Sequence, residues 1–597
     1  MIFRPAEIFL RPVADPYAAP NTAMAAAMPL ASLSARACSD APEGLPNAST
    51  RVFQKGRLSL LLGGNMAIVK SLPPPRLVCA NPFTLTGGTG SLNIELGLSF
   101  PANTPECLAF SATASPDCLP KTCRSRILTV SNLSFGLTFG CFLFSISLAA
   151  PAQTSDPSPC AASKSLPWIS ILRPDAVAPG SGQFQLWVTG ANVGSESVVR
   201  WNGKALRTSF SGAGKLRATV PAALVRSTGT AAITVEKCGA GNNISNTLYL
   251  PVSSSSSSVS VKRSSVGSGN VTSVVAADFN GDGKIDLASS NLSIDSVDVA
   301  LGIGDGTFGP ATSYPAGQQP LGIATGDFNH DGVLDLVVAD QFEGHAGTVS
   351  VLLGKGDGTF LPQKTYFAGL NPITAAVGDF NGDGNLDIVT ANQSSSNVSL
   401  LLGNGDGTFR TVRHFNTGNG TYGLAIGDFN EDGKLDVVTA NLDGTVSVLL
   451  NNGHGFSPQQ AFPTGAYSSA VVVADVNGDG HLDLITSNQV GNSVSVLLGD
   501  GKGGFGANTD FPAGSRPTGV AVADLNADGN PDLIVADSGD GTVSVLLGKG
   551  DGMFQSTANF LGSSYPTNVA IADFNGDGRL DFATGNGSTA VFLQTSK

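Results

Sequence analysis

Seven times the sequence writes aspartate, asparagine and aspartate at alternate positions, followed by a fourth side chain, again aspartate, four residues on. The sets are Asp278, Asn280, Asp282 and Asp286; Asp327, Asn329, Asp331 and Asp335; Asp379, Asn381, Asp383 and Asp387; and Asp428, Asn430, Asp432 and Asp436. They continue with Asp475, Asn477, Asp479 and Asp483; Asp524, Asn526, Asp528 and Asp532; and Asp573, Asn575, Asp577 and Asp581. Oxygen donors at positions 1, 3, 5 and 9, a backbone carbonyl at 7 and glycine at 6 for the sharp turn suit Ca²⁺. Carboxylates this close repel unless a positive charge lies among them. Cysteine is missing from these loops, and His330 and His481 stand off the ligand positions, which argues against zinc. An all-protein oxygen cage on a flexible loop also suits Mg²⁺ poorly. The loop is no EF-hand, because position 12 holds Ser289, Val338, Thr390, Thr439, Thr486, Val535 and Thr584 in place of a bidentate glutamate. A tight turn of Asp, Asn and Gly would explain one copy. Seven complete copies favour one Ca²⁺ in each, up to seven, adding positive charge to a chain of net charge −13.

The first aspartates are spaced 49, 52, 49, 47, 49 and 49 residues apart, a period that marks a repeat architecture. Each repeat reads as a small apolar strand ("PLGIATGDF", 320–328), the acidic loop, a second strand ("LDLVVAD", 334–340) and a third ("TVSVLLG", 348–354). A Gly-Asp-Gly turn then leads to a more polar fourth strand ("QKTYFAG", 363–369). Four antiparallel strands per repeat predict a propeller blade. The last repeat ends after its third strand, and "SVSVKRSSV" (258–266) stands ahead of the first, so pairing of the two is expected to close a ring with no open edge. The recurring Asp-x-Asn-x-Asp-Gly-x-x-Asp run and its strand pattern resemble the FG-GAP/VCBS repeats, related to the calcium-binding blades of the integrin α-subunit, across residues 258–597.

Residues 167–252 change pattern to short strands between turns: 183–190, 197–203, 215–221, 231–237 and 246–252. Their Pro-Gly, Trp-Asn-Gly and "TVPAALV" landmarks resemble an IPT/TIG-type immunoglobulin-like domain, a resemblance that implies a spacer. Trp168, Trp187 and Trp201 all fall here and are expected in its core. The fold class is therefore all-β: a seven-bladed β-propeller of four-stranded blades preceded by a small Ig-like β-sandwich. Residues 153–166 read as linker. Residues 124–152 carry a basic flank, an uncharged run and a small-x-small end, as a signal peptide does, with a membrane anchor as the alternative. Residues 1–123 lack periodicity and are expected to be a misassigned start or a disordered leader. Six of the eight cysteines lie before residue 150; Cys160 and Cys238 are available for a disulfide in an oxidising compartment.

A calcium clip is structural, so recognition is sought on the loops joining strands 4 to 1 and 2 to 3, at the opposite end of each blade. Eight residues before each first aspartate stand Asn270, Gln319, Asn371, Gly420, Tyr467, Arg516 and Tyr565. The longest interval adds Phe342, Glu343 and His345. Thirteen residues after each first aspartate, Asn291, Asp340, Asn392, Asn441, Asn488, Asp537 and Asn586 are expected to close the second strand as Asx-turns. The acidity and the lack of a Lys/Arg cluster argue against nucleic acid. No HExxH, no G-x-S-x-G and no spare carboxylate pair supports catalysis. The expectation is an exported, monomeric, non-catalytic calcium-stabilised module that recognises an extracellular protein or surface, not inserted in the membrane after signal cleavage. The alternatives are a lectin, weakened because the repeats contain no tryptophan, and an accessory module of an extracellular polysaccharide-degrading system.

Overall fold

The computed structural model describes residues 165–597 apart from 238–242, 268, 343–345, 563, 586 and 596–597, together with two short strands, Leu58–Leu60 and Leu92–Ile94. The chain divides into two compact units, Met1–Thr154 and Ser155–Lys597. The expected leader, signal peptide and Cys160–Cys238 pairing lie outside the described residues. Among those residues no helix is long and apolar enough to cross a membrane.

Alternation of buried and exposed side chains, the mark of a strand with one wet face, shapes the first part of the second unit. Trp168–Arg173, Phe184–Ala191, Lys215–Val220 and Arg207–Gly212 form one four-stranded antiparallel sheet. Leu248–Val252, Gly229–Lys237, Ser197–Trp201 and Lys204–Ala205 form another. Their inner faces meet in one cluster that includes Leu186, Leu216, Val199, Ile233 and Leu250. Only Trp201 of the three tryptophans joins this core, at 3% exposure. Trp187 points outward, with the Arg217 guanidinium 5.5 Å from its ring centre, because it sits on the wet face of its strand.

Seven further four-stranded antiparallel sheets follow among the described residues. The second sheet is representative, with strands Pro320–Gly326, Asp335–Asp340, Ala346–Leu352 and Lys364–Leu370 in sequence order. Second strands are buried along their whole length, as strands covered on both faces must be. The seventh sheet is built from both ends of the region. Val261–Val266 pairs antiparallel with Thr589–Gln594, next to Asp581–Thr584 and Val569–Ala572. First strands neighbour one another in cyclic order, and the first sheet's meets the seventh's. Close approach requires small residues there: a Cβ on Gly519 would lie 2.3 Å from the Thr567 carbonyl oxygen.

The two parts are not held apart. Trp168 and Ala191 pack into the cluster around Phe380 and Phe456, and Ile171 packs into the cluster around Phe429 and Leu482. The apolar first strand buries part of itself against the repeat sheets. A cavity of about 550 Å³ lies between them, lined by Ile171, Leu172, Tyr249, Val275, Val522 and Ile571 among others.

Candidate metal centres and the opposite face

Each acidic loop joins the first strand of a sheet to the second, and its own N–H groups hold it. In all seven, Oδ2 of the first aspartate accepts from the glycine N–H at position 6, at 2.8–3.0 Å. The asparagine oxygen accepts from the N–H at position 5, and the aspartate at 5 accepts from the N–H at 7. Two left-handed residues, at positions 4 and 6, let the chain turn this sharply. Glycine fills every position 6, but His330, Glu431 and Ala527 occupy position 4 at φ of 60°, 55° and 57°.

The fourth aspartate has a second task that its spacing does not reveal. Asp286, Asp335, Asp387, Asp436, Asp483, Asp532 and Asp581 are all 0% exposed. Oδ2 of each accepts the N–H of loop position 2, at 2.8–3.0 Å. Oδ1 accepts a second N–H from the end of the third strand or just beyond it, at 2.7–2.9 Å. The side chain thus ties the loop to the far corner of its sheet. The carbonyl of that same position 2 reaches the next sheet. Backbone N–H groups of Gly306, Gly358, Gly407, Gly503 and Gly552 donate to five of these carbonyls, and the side-chain amides of Asn451 and Gln594 serve the other two.

Burial, and then the like charges of the loop, hold these buried aspartates above the ordinary carboxylate value: Asp335 to about 7, and Asp436, Asp532 and Asp581 to about 8. Three carboxylates and an amide oxygen, without nitrogen or sulfur, make the donor set of a hard cation, and the crowding of like charge is what such an ion would relieve. In chemistry the residues fit calcium. Among the described residues, however, no three Asp, Glu, His or Cys side chains are gathered as a preformed metal cage. The donors rest on the loop's own N–H groups.

On the opposite face, six carbonyls of the residues eight before the first aspartate accept an N–H from just beyond the second strand, those of Asn270, Gln319, Asn371, Gly420, Tyr467 and Arg516. Five of these residues turn left-handed without being glycine: φ is 51° at Gln319, 61° at Asn371, 65° at Tyr467, 52° at Arg516 and 65° at Tyr565. Tyr467 and Tyr565 are 41% and 61% exposed. Asn371 is turned inward and donates to Gln393 at 2.7 Å. Phe342 is described at 38% exposure; Glu343 and His345 lie outside the described residues.

A model of the FG-GAP-like repeat matches residues 278–338, 338–390, 379–439, 428–486, 477–535 and 524–584. The chain belongs to the FG-GAP-like repeat family. Similar solved structures include a protein of unknown function from Desulfotomaculum acetoxidans DSM 771, 11% identical, covering 57% of this chain and 98% of its own, at a TM-score of 0.39. Others are a putative phosphatase from Bacteroides thetaiotaomicron VPI-5482 (13% identity, 73% and 98% coverage, TM-score 0.36) and an auxiliary nutrient binding protein from Bacteroides ovatus ATCC 8483 (13%, 73% and 99%, 0.34). A search of curated proteins returns no match.

The FG-GAP repeats differ among themselves at the end of the second strand. Asn392, Asn441 and Asn488 are buried, and each donates to a serine hydroxyl on the third strand while accepting from a threonine two residues back. A buried side-chain network, not the expected Asx-turn, explains these three asparagines, whereas Asn291 makes that turn, its Oδ1 accepting the Ser293 N–H at 3.1 Å. Where the threonine becomes Val338 or Val535, the asparagine becomes Asp340 or Asp537. Oδ2 of each accepts from a serine, Ser350 or Ser544, and from a threonine, Thr348 or Thr542. Oδ1 of each is buried with no partner. Burial, with Asp295 near one and Asp540 near the other, pushes both carboxyls up to about 7. Once protonated, either acid could reverse that bond and donate to the serine, as Asn392, Asn441 and Asn488 do in their sheets. Because the folded value lies above the unfolded one, stability is highest in acid and is lost as pH rises through about 7. The gap from 3.8 sets a ceiling of about 4 kcal/mol per residue above that pH. The double variant V338T/D340N is therefore expected to unfold at higher urea than wild type at pH 8, with a smaller gain at pH 5. An equal shift at both pH values would refute the neutral-acid reading.

Proposed function

We propose that this chain is an exported, non-catalytic recognition module. In this reading the seven sheets are the blades of an integrin-like β-propeller, each loop takes one Ca²⁺, and residues 167–252 are an IPT/TIG-type domain seated on the loop face. Members of the FG-GAP-like family typically bind and do not catalyse. The observation that carries the recognition face is backbone strain: Tyr467, Arg516, Tyr565 and Gln319 keep large side chains at positive φ, where glycine would be cheaper. The sandwich sits against the other end of the sheets. The recognition end also exposes Ile294 and Val490, at 60% and 68%. Aromatic, arginine and aliphatic groups on a rigid support are the composition of a protein-binding surface.

The test presents the immobilised full chain to a panel of extracellular proteins and to a glycan array, with calcium and with chelator. Calcium-dependent binding to a protein, weakened at least tenfold in Y467A/Y565A, is the expected result. Binding to one sugar class with the same dependence would make the module a lectin instead. Silence from a folded, calcium-loaded chain on both would sink the recognition reading.

A further inference from the structure

The seven loops are chemically alike in sequence, but the sandwich treats them differently. The Leu166 N–H lies 2.8 Å from Oδ2 of Asp379, and the Thr230 hydroxyl lies 2.8 Å from Oδ2 of Asp573. These donors are neutral and leave each carboxylate its charge. At the fifth loop the donor is a cation. Nη2 of Arg173 stands 2.6 Å from the Asp475 carbonyl oxygen and 3.2 Å from its Oδ2. The Asp475 side chain is 1% exposed and that of Arg173 27%, so the carboxylate end of the pair is buried, and Nη1 of the same guanidinium is held by Asp175 at 3.2 Å. Asp475 spends its remaining acceptors on Gly478 and Gly480, at 2.7 and 3.0 Å. A guanidinium cannot be deprotonated at any pH where the protein is folded, and it is less strongly hydrated than an ammonium. It is suited to a buried carboxylate that would otherwise await a metal.

We propose that Arg173 is the resident cation of the fifth loop: its charge replaces the calcium ion there and pins the sandwich to the repeat sheets. The inference rests on the calcium reading of the other loops. It makes this loop a structural joint, while its sequence still spells a metal site. An Arg on a neighbouring element and a divalent ion would compete for the charge of the same carboxylate, Asp475. Removing the arginine would leave that charge to the ion.

Bound calcium per chain is counted by elemental analysis of the full chain after gel filtration in calcium, for wild type, R173A and R173Q. Glutamine keeps a neutral donor for Asp475, as Leu166 and Thr230 are for their loops, so R173Q removes charge while leaving a seat for the sandwich. Both variants are expected to hold one more ion than wild type. They should also show faster amide exchange in residues 167–252, most strongly in R173A. Equal, non-zero counts in all three proteins overturn the Arg173 inference and leave the calcium reading standing. Zero in all three overturns both. Should R173A fail to fold by circular dichroism, the count in R173Q decides.

Discussion

Asp436→Ala is expected to lower the stability of the repeat region by about 2–5 kcal/mol, and to do so even in the presence of a chelator. The reason is positional. Asp436 is fully buried, and its two oxygens accept the N–H groups of Phe429 and Asn451 at 3.0 and 2.7 Å. Alanine leaves both donors in a dry interior, and each unsatisfied buried N–H costs about 1–3 kcal/mol. Above about pH 8, where the carboxylate is ionised, Asp436→Asn should be nearly as damaging, because one end of the amide is itself a donor and would face an N–H. The contrast is Asp432→Ala in the same loop. Asp432 is exposed, and its ion pair with Lys434 at 2.8 Å is of the surface kind that contributes little. Urea unfolding of the two variants in chelator separates the roles. A large loss for Asp436→Ala beside a loss below about 1 kcal/mol for Asp432→Ala supports the buried tie. Equal losses would mean that the fourth aspartate matters only through a cation.

Chelation of the wild-type chain is expected to give the other large effect. An ion that binds only the folded state stabilises it by about 2.7 kcal/mol per site at one hundred times its dissociation constant. With several loops filled, the thermal midpoint in excess calcium should stand well above that in chelator. Magnesium should restore little of the difference, because it demands a small, regular octahedron that a nine-residue loop of mixed donors does not impose. Calorimetry in calcium, magnesium and chelator makes the comparison. Identical midpoints in all three would leave the loops as hydrogen-bonded turns and remove calcium from the account. Asp432→Ala should lose part of the calcium-dependent gain even though it costs little in chelator.

The repeat architecture was legible because its signals are local and multiplied. Small apolar first strands, wholly apolar second strands and Gly-Asp-Gly turns recur at a near-constant period, and the unpaired segment near residue 260 matched the missing strand of the last repeat. Observed strand limits fall within a few residues of the expected ones, as at Lys215–Val220 and Asp335–Asp340. Two kinds of fact were not legible. Asp286 and its six counterparts read as ligands because spacing reports side-chain type, whereas the buried N–H groups they satisfy come from distant turns. Trp168 and Ile171 look like any strand residues, and only the packed structure shows them leaving the sandwich core for the sheets beyond it. Trp187 failed for a related reason, since alternation along a strand fixes the spacing of its two faces but not which face is wet. The exchange of Thr-x-Asn for Val-x-Asp at 338–340 and 535–537 was visible in the letters, but acquires meaning only once the orphaned oxygens are seen.

The pairing of Val261–Val266 with Thr589–Gln594 has a mechanical consequence. Val261 lies opposite Gln594, so the chain enters and leaves this strand pair at the same edge. A pull on the two flanking segments would act across the pair, breaking its hydrogen bonds in succession like a zipper, and no bond would share its load with the next. Each of the other six sheets is joined strand to strand by covalent turns. Under tension the seventh sheet is therefore the yielding point of the repeat region, and it would part at low force while its six neighbours kept their shape.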